Sequence, residues 1–312
     1  MTNTLIKRAE AYRSFARLFL SELDTETIVG LQKDPRFADV IASDVRDLRV
    51  EFTHLFHLNV FPYASVFLDP EALLNTETTA RVEAAFAAAG FEPARDLPIG
   101  APDHFGVELS FIAYLLETRQ DDAAIRFLET ELWSWVIVFL HAVQRNAREK
   151  FYRGLGLTTR RWLLEDLEAS SSVGNMPSGA KGSSFVLPVM PEDDLDSVVS
   201  FLISPAQSGI FLSKQDLSSL GHRLELPMGF GDRGWVLKSL FRSAGEFGKI
   251  AELLNALKME AHEWVERYAS DSRDYPAASN LLCPWHERAG ATCARLHQME
   301  RATEMLKSPL QV

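Results

Sequence analysis

Apolar residues recur at every third or fourth position along most of this 312-residue chain, and no other feature constrains its fold as strongly. Leu5, Ala9, Tyr12, Ala16 and Phe19 form one such stripe, and similar stripes follow throughout the chain. This spacing places apolar residues on one face of a helix, whereas a half-buried strand would alternate apolar and polar residues. Alternating runs of convincing length are absent. The sequence therefore predicts an all-α fold.

Residues that favour helix ends set the predicted boundaries. Asp34 and Asp69 each precede a proline, which is typical of the first turn of a helix, so a helix is predicted to start at each. Gly90 follows an apolar stripe and is predicted to end its helix. Residues 132–151 are predicted to form one long, mostly buried helix because they begin with an almost entirely apolar run.

The composition changes sharply at residues 170–184, where ten of the 15 residues are Ser, Gly or Pro. Such a segment buries too little apolar surface to offset the loss of chain entropy, so it is predicted to be a linker. It separates a predicted domain at residues 1–169 from a predicted helical region at residues 185–312. In that region Ser213 and Asp216 have the spacing of a capping box, and Gly221 is predicted to end the same helix.

The charge balance bears on the partners that the chain can take. The sequence has 32 Lys and Arg residues against 43 Asp and Glu residues, which gives a net charge of −11. Phosphate backbones and anionic lipids repel such a chain, so neither nucleic acid nor stable membrane insertion is expected. The most apolar run, at residues 132–143, has 12 residues, where a membrane span needs about 20. No export signal is visible and the two cysteines fit a reducing compartment, so the expected location is the cytoplasm.

Four residues near the C-terminus have spacings that suit a metal. Cys283 and His286, then Cys293 and His297, form two Cys–His pairs, and thiolate and imidazole are suitable zinc ligands. Their order is unusual for a zinc site, and simple burial also explains the two thiols. Both interpretations therefore stay open.

Two histidines, His54 and His57, lie three residues apart on a predicted helix that also carries Phe52 and Phe56. A catalytic or metal-binding role would need a carboxylate partner, and Glu51 lies on a nearby face. Histidines at the margin of a helix are more often structural, so a structural role is the favoured interpretation.

The segment from Pro102 to Glu108 is the strongest candidate for a binding site. Pro102 biases the residue before it to extended geometry, so the chain is predicted to turn here between two helices. Asp103 is predicted to cap a helix that begins at His104. Asp103 and Glu108 then offer two carboxylates near the start of this helix, with an imidazole between them. On the residues alone, a capped helix entry with no further role stays an open alternative.

Several motifs occur in an order that resembles a known family. Together they span residues 5–168. The matching positions are Arg8, Tyr12, Ala16, Leu18 and Phe19; Glu51, Phe52, Leu55 and Phe56; residues 62–67; Pro102, Asp103, His104, Glu108 and Leu109; and Leu132, Trp135, Phe139, Phe151 and Tyr152. This ordered set resembles the TorD family of cytoplasmic chaperones for molybdenum-containing oxidoreductases. The resemblance implies a TorD-like helical bundle, here with an additional helical C-terminal region.

The resemblance implies a binding function without catalysis and without a cofactor. Family members hold the twin-arginine leader and the apo form of a molybdopterin-dependent oxidoreductase of the DMSO reductase family until the cofactor is inserted, which holds back export. The implied partner-binding residues are Tyr12, Tyr63, Phe67, Pro102, Asp103, His104 and Glu108. The two carboxylates would receive guanidinium groups, and the aromatic rings would form an apolar wall. Domain-swapped dimers occur in the family, so a homodimer is a further expectation.

Two other classes of function stay open on the residues. Residues 213–244 resemble a helix-turn-helix, which would suit a nucleic-acid-binding regulator. Against this, residues 185–312 contain 13 basic and 17 acidic residues, with no basic stripe on one helix. The other class is a zinc-binding protein that uses Cys283, His286, Cys293 and His297.

Overall fold

The computed structural model describes residues 2–33, 44–94, 97, 99–172 and 194–307. Within these ranges the chain forms α-helices, a π-helix at Thr53–Asn59, two short 3₁₀ segments and no β-strand. The predicted all-α fold is confirmed. The α-helices are α1 Thr2–Leu20, α2 Thr25–Gln32, α3 Val45–Phe52, α4 Ala64–Leu68, α5 Glu77–Ala89, α6 Phe105–Glu117, α7 Asp121–Thr130, α8 Val136–Asn146, α9 Lys150–Ser172, α10 Leu195–Ile203, α11 Pro205–Ser208, α12 Lys214–Arg223, α13 Arg233–Glu246, α14 Ile250–Asp274 and α15 Ser279–Lys307.

The chain divides into two compact units. The first holds the described residues up to Asp166, and the second holds those from Leu167 onward, so the division falls within α9. The first three residues of the predicted linker at 170–184 continue this helix, and the rest of that segment lies outside the described residues. The predicted linker therefore stays a prediction.

In the first unit, α1 packs along α6, and a glycine permits their close approach. A β-carbon on Gly106 would lie 2.6 Å from Leu20 Cγ and 2.9 Å from the carbonyl oxygen of Ala16. Next to this contact, the rings of Phe19 and Phe105 meet edge to face, with centroids 4.8 Å apart. Burial of one such side chain contributes about 1.5–3 kcal/mol. The aromatic cluster therefore joins α1 firmly to the start of α6.

A polar contact inside the core joins α1 to α9. The carboxylate of Asp166 accepts hydrogen bonds from the Tyr12 hydroxyl at 2.8 Å and from Arg8 Nη2 at 2.7 Å. Trp162 packs edge-on against the Tyr12 ring at 4.8 Å. Burial, followed by the charge of Asp166, raises the pKa of Tyr12 well above 10, so the hydroxyl keeps its proton and remains a donor.

In the second unit, α14 and α15 form an antiparallel pair connected through a 3₁₀ turn at Pro276–Ala278. Lys258 on α14 and Glu300 on α15 form an ion pair at 2.5 Å. Gly209 has a φ of 72°, and a β-carbon there would lie 2.4 Å from a backbone nitrogen of α15, so only glycine fits. Tyr268 secures this turn because its buried hydroxyl donates to the Gly209 carbonyl at 2.8 Å.

Two helix ends that depend only on residues adjacent in the sequence are as predicted. Gly90 ends α5 with a left-handed φ of 72°. Ser213 and Asp216 form the full capping box at the start of α12. Gly221 is the exception, because α12 continues past it to Arg223.

Besides Gly221, the boundaries predicted at Asp69 and for residues 132–151 are wrong. Asp69 does not start a helix, because its carboxylate instead accepts hydrogen bonds from Thr76 and Thr78 in the segment after α4. Residues 132–151 are not one helix but a 3₁₀ turn, α8 and the start of α9. The break after α8 brings the backbone N–H of Arg148 to the buried Glu51 carboxylate at 2.6 Å. The helix start predicted at Asp34 lies outside the described residues.

Candidate functional site

The chain segments before α4 and before α6 are joined by backbone hydrogen bonds. The Ala64 N–H donates to the Asp103 carbonyl at 3.0 Å, and the Phe105 N–H donates to the Pro62 carbonyl at 2.8 Å. These two bonds create an isolated antiparallel bridge between Tyr63 and His104. The predicted turn at Pro102 is therefore held against a second segment, and both segments belong to the first unit.

Asp103 lies at the centre of this junction and is fully buried. One carboxylate oxygen accepts from the Ser65 N–H at 2.8 Å, and the other accepts from the Thr79 hydroxyl at 3.0 Å. Asp103 therefore connects α4, α5 and the start of α6. The predicted helix cap at Asp103 is wrong, since its side chain bonds to residues distant in sequence. His104 caps α6 instead.

The imidazole of His104 is almost fully buried, and its Nδ1 accepts from the Gly106 N–H at 3.1 Å. Burial, followed by the nearby His57, lowers the pKa of His104 to about 3. The ring is therefore neutral at physiological pH. Because Nδ1 accepts a hydrogen bond, the single ring proton lies on Nε2, which can donate.

Glu108, one turn into α6, is also fully buried. Its Oε2 accepts from Trp135 Nε1 at 3.3 Å, while Oε1 has no hydrogen-bond partner among the described residues. Burial, followed by the charge of Asp103, raises the pKa of Glu108 well above 4.5. A protonated carboxyl is a weak acceptor for a guanidinium group, because such an ion pair needs the charged form.

A pocket of about 270 Å³ lies beside the bridge between Tyr63 and His104. Six of its ten lining residues are apolar, namely Leu20, Phe52, Phe56, Phe61, Pro62 and Leu74. The remaining lining residues are His57, Tyr63, Gly100 and His104. His57, Leu74 and Gly100 are exposed, so solvent and ligands can reach the pocket.

Tyr63 shapes one wall of this pocket. Its hydroxyl accepts a hydrogen bond from the Gly100 N–H at 2.9 Å, and its ring meets the His104 ring edge-on at 5.1 Å. A β-carbon on Gly100 would lie 3.3 Å from the same hydroxyl. Tyr63 therefore holds the segment that precedes Pro102 against the pocket.

The structure separates the seven predicted site residues into two groups. Tyr63 and His104 line the pocket, and Pro102 lies half-buried beside them in the chain. Tyr12, Phe67, Asp103 and Glu108 are fully buried. Phe67 packs against Trp135 with ring centroids 5.5 Å apart, so its surroundings are core. A ligand in the pocket can meet Tyr63 and His104 directly, whereas the residues of the second group are enclosed in the core.

Eight of the ten pocket residues were not among the predicted site residues, and Phe61, His57 and Leu74 illustrate why. Phe61 directly precedes Pro62 and Tyr63, so a search around the motif would include it. His57 is interpreted from sequence as structural, but the π-helix that carries it turns it toward the pocket. Such helices are frequent at functional sites. Leu74 lies in the irregular segment before α5, where no periodic pattern marks it.

Residues 51–144, which include every pocket residue except Leu20, carry a large negative charge. Residues 51–144 contain 14 Asp and Glu residues but four Lys and Arg residues, a formal net charge of −10. Among these acids, Glu71 and Glu77 are exposed and flank Leu74 in sequence. A cationic ligand that approaches the pocket meets an attractive potential.

The proposed zinc ligands are not brought together. Cys283, His286, Cys293 and His297 all lie along α15, and His297 faces Glu300 at 3.5 Å. Nowhere in the described ranges do three His, Cys, Asp or Glu side chains converge on a possible metal position. Similarly, no described helix has the length and apolar composition needed to cross a bilayer.

Comparisons with known proteins match the same part of the chain. The family model described as nitrate reductase delta subunit matches residues 20–141, which include every residue of the pocket. The chaperone protein TorD of Shewanella loihica is 25% identical over 195 residues, covering 52% of this chain and 92% of that protein. TorD of Shewanella piezotolerans is 23% identical over 196 residues, covering 52% and 91%. TorD of Vibrio parahaemolyticus is 26% identical over 186 residues, covering 47% and 86%.

Proposed function

We propose, from the premise that this chain is a TorD-family protein, that it is a maturation chaperone for a molybdoenzyme. Similarity to proteins named as TorD chaperones supports this role in general. We further propose that the chain acts in the cytoplasm, where it binds an apoenzyme of the DMSO reductase family and holds back its export until the cofactor is inserted. In this proposal the chain binds its partner and carries out no chemical step.

The pocket carries the proposal. It is solvent-accessible, has a volume of about 270 Å³, combines six apolar lining residues with polar groups, and adjoins the bridge formed by Tyr63 and His104. Pockets that bind ligands combine such apolar walls with a few fixed polar groups. Here the fixed groups are the Nε2–H of His104 and the hydroxyl of Tyr63. We propose that the apolar part of a twin-arginine leader enters this pocket.

The arginines of the leader need charged acceptors near the pocket. Asp103 already accepts two internal hydrogen bonds, and burial raises the pKa of Glu108, which disfavours its charged form. Exposed carboxylates are better acceptors because no internal bond has to break first. Glu71 and Glu77 are each three residues from Leu74. Three residues of fully extended chain span at most about 11 Å, so both carboxylates lie near the pocket. We propose these two residues as guanidinium acceptors, with Asp103 as a positioning residue.

Peptide binding tests the proposal. A labelled peptide with two adjacent arginines and an apolar stretch is titrated with the protein, and its fluorescence anisotropy is followed. Replacement of both arginines by glutamine is expected to weaken binding, and the difference is expected to shrink at high salt because exposed charges are screened. If the wild-type chain fails to bind any such peptide, the proposed function is wrong.

Two leucines of similar exposure provide a matched pair of variants. Leu74 lines the pocket and is 38% exposed, whereas Leu157 on α9 is 41% exposed and lies away from the pocket lining. Leu74→Ser removes apolar surface that a ligand would cover, so Kd is expected to rise roughly fivefold, or about 1 kcal/mol. Leu157→Ser is expected to leave Kd unchanged. Equal effects of the two variants would exclude this pocket as the leader site.

A further inference from the structure

The polar side chains that line the pocket have one property in common, because each of them carries a hydrogen-bond donor. They are His57, Tyr63 and His104. Among the described residues of the lining, none carries a carboxylate, a carboxamide or a permanent positive charge. The ligand that the pocket prefers therefore depends on which of these donors are already in use.

His104 can only donate to a ligand in the pocket. Its Nδ1 accepts from the Gly106 N–H at 3.1 Å, which is the contact that caps α6, so the ring proton lies on Nε2. Nε2 makes no hydrogen bond to any of the described residues. A nearly buried N–H group without an acceptor costs free energy, and a ligand that supplies an acceptor removes this cost.

Tyr63 also has a proton to donate. Its hydroxyl oxygen accepts from the Gly100 N–H at 2.9 Å, and no residue in the described ranges accepts the hydroxyl proton. A hydroxyl that accepts one hydrogen bond can still donate one. The rings of Tyr63 and His104 meet edge-on with centroids 5.1 Å apart, and the bridge between the two residues fixes their backbones. Two available donors therefore lie on neighbouring, fixed side chains.

Both donors are uncharged at neutral pH. Burial, followed by the nearby His57, lowers the pKa of His104 to about 3. Burial also raises the pKa of Tyr63 above its ordinary value of 10, so the hydroxyl keeps its proton. An anion that enters the pocket would lose its water and gain two neutral donors, with no cation in the described lining to balance its charge.

The charge around the pocket disfavours an anion further. Residues 51–144 carry a formal net charge of −10, and the exposed Glu71 and Glu77 flank Leu74 of the lining. Such surroundings repel an anion and attract a cation. A cation, however, finds its carboxylate partners outside the pocket, because the described lining contains none. A neutral acceptor has neither disadvantage.

We propose that the pocket binds a neutral hydrogen-bond acceptor joined to an apolar group, with the Nε2–H of His104 and the hydroxyl of Tyr63 as the donors. In a polypeptide, a main-chain carbonyl beside an apolar side chain has this chemistry. The arginines of a leader then stay outside the pocket, at Glu71 and Glu77. The leader as the source of the carbonyl rests on the proposed function, whereas the preference for a neutral acceptor does not.

Four small probes that share a benzene ring test this preference. N,N-dimethylbenzamide offers a carbonyl acceptor and no N–H group, benzoate is an anion, benzylamine is a cation at pH 7, and toluene has no polar group. The pocket volume of about 270 Å³ exceeds the roughly 150 Å³ that is sufficient for benzene, so each probe fits. Each is titrated into the full chain and followed by ligand-observed NMR.

The Kd of N,N-dimethylbenzamide is expected to be roughly fivefold lower than those of benzoate and benzylamine. Benzoate that binds as tightly as the amide would show an anion site. Benzylamine that binds as tightly would show that the pocket accepts cations. Either result, or an amide that does not bind, would overturn the proposal.

Variants of the two donors assign the effect to the pocket. Tyr63→Phe keeps the ring, and His104→Asn keeps a strong helix-capping residue but removes Nε2–H. Each is expected to raise the Kd of the amide roughly threefold and to leave that of toluene unchanged. Tyr114→Phe is the control, because its hydroxyl donates to the Ala89 and Gly90 carbonyls and lies outside the pocket lining. Equal losses for the amide and toluene, or equal effects of the control, would refute the assigned donors.

The probes and the leader peptide can fail independently of each other. Protein that prefers the amide but binds no leader peptide would retain this inference and refute the proposed function. Protein that binds the peptide but shows no preference among the probes would do the reverse. If both proposals hold, saturating N,N-dimethylbenzamide is expected to displace a labelled leader peptide. A peptide that stays bound would refute a leader carbonyl as the group in the pocket.

Discussion

Glu108→Gln is expected to change how the stability of the first unit depends on pH. Glu108 is completely buried, has one oxygen without a partner among the described residues, and has a pKa raised well above 4.5 by burial and then by Asp103. The folded state therefore holds this proton at pH values where the unfolded chain has released it. Unfolding is thus increasingly favoured as pH rises above 4.5, until the folded-state pKa is reached.

The magnitude of this effect follows from proton linkage. Between the unfolded and folded pKa values, one retained proton changes the free energy of unfolding by about 1.4 kcal/mol per pH unit. Glutamine has nearly the same shape and cannot ionise, so Glu108→Gln removes this dependence. Its new amide hydrogens lack partners and cost about 1–3 kcal/mol, but that cost does not vary with pH. The free energy of unfolding of the variant is therefore expected to rise steadily relative to that of wild type as pH increases.

Urea unfolding at pH 5, 6 and 7 measures this difference, with the fluorescence of tryptophan as the signal. Glu83→Gln, on the exposed face of α5, controls for the loss of a carboxylate without burial. Parallel stability curves for wild type and Glu108→Gln would mean that Glu108 is ionised in the folded state. That result would restore Glu108 as a charged acceptor for an arginine of the leader.

Two further predictions concern the contacts of α1. Gly106→Ala is expected to destabilise the first unit by about 1–3 kcal/mol in urea unfolding, because its methyl group would lie 2.9 Å from the Ala16 carbonyl oxygen. Gly30→Ala, which has open space in α2, is the control and is expected to stabilise slightly, so similar losses for the two variants would refute the packing argument. Tyr12→Phe removes a buried hydrogen bond to the Asp166 carboxylate and is expected to cost about 1.5–3 kcal/mol, which the same unfolding assay measures. An unchanged urea midpoint would show that this bond contributes nothing net.

Residues close together in the sequence were sufficient to predict some helix ends. Gly90 ends α5 because a left-handed turn is accessible to glycine at little cost, and this depends on no distant residue. The capping box at Ser213 and Asp216 is equally local. Asp69 shows the limit of such signals, because its carboxylate bonds to Thr76 and Thr78 instead of capping the residues that follow it directly.

The pocket could be predicted only in part. Tyr63 and His104 belong to motifs, so their importance is visible in the sequence. Their pairing is not, because it depends on backbone hydrogen bonds between segments about 40 residues apart. The same holds for His57 and Leu74. His57 lies on a π-helix and Leu74 lies in an irregular segment, and no apolar periodicity in the sequence predicts that either residue lines the pocket.

Asp103 and Glu108, the acidic residues of the motif at residues 102–108, are buried, so their contacts are structural. Asp103 meets Ser65 and Thr79, and its carboxylate fixes the relative positions of the helices that carry them. Glu108 is enclosed at the same helix start, where burial raises its pKa and disfavours the charged form. Both side chains are therefore enclosed in the core, whereas His57 and Leu74 line the pocket and are exposed, so they are the ones that we expect a ligand to contact. Loss of an acidic motif residue should consequently weaken binding only as far as it loosens the fold, while loss of either exposed pocket residue should weaken binding in a chain that remains fully stable.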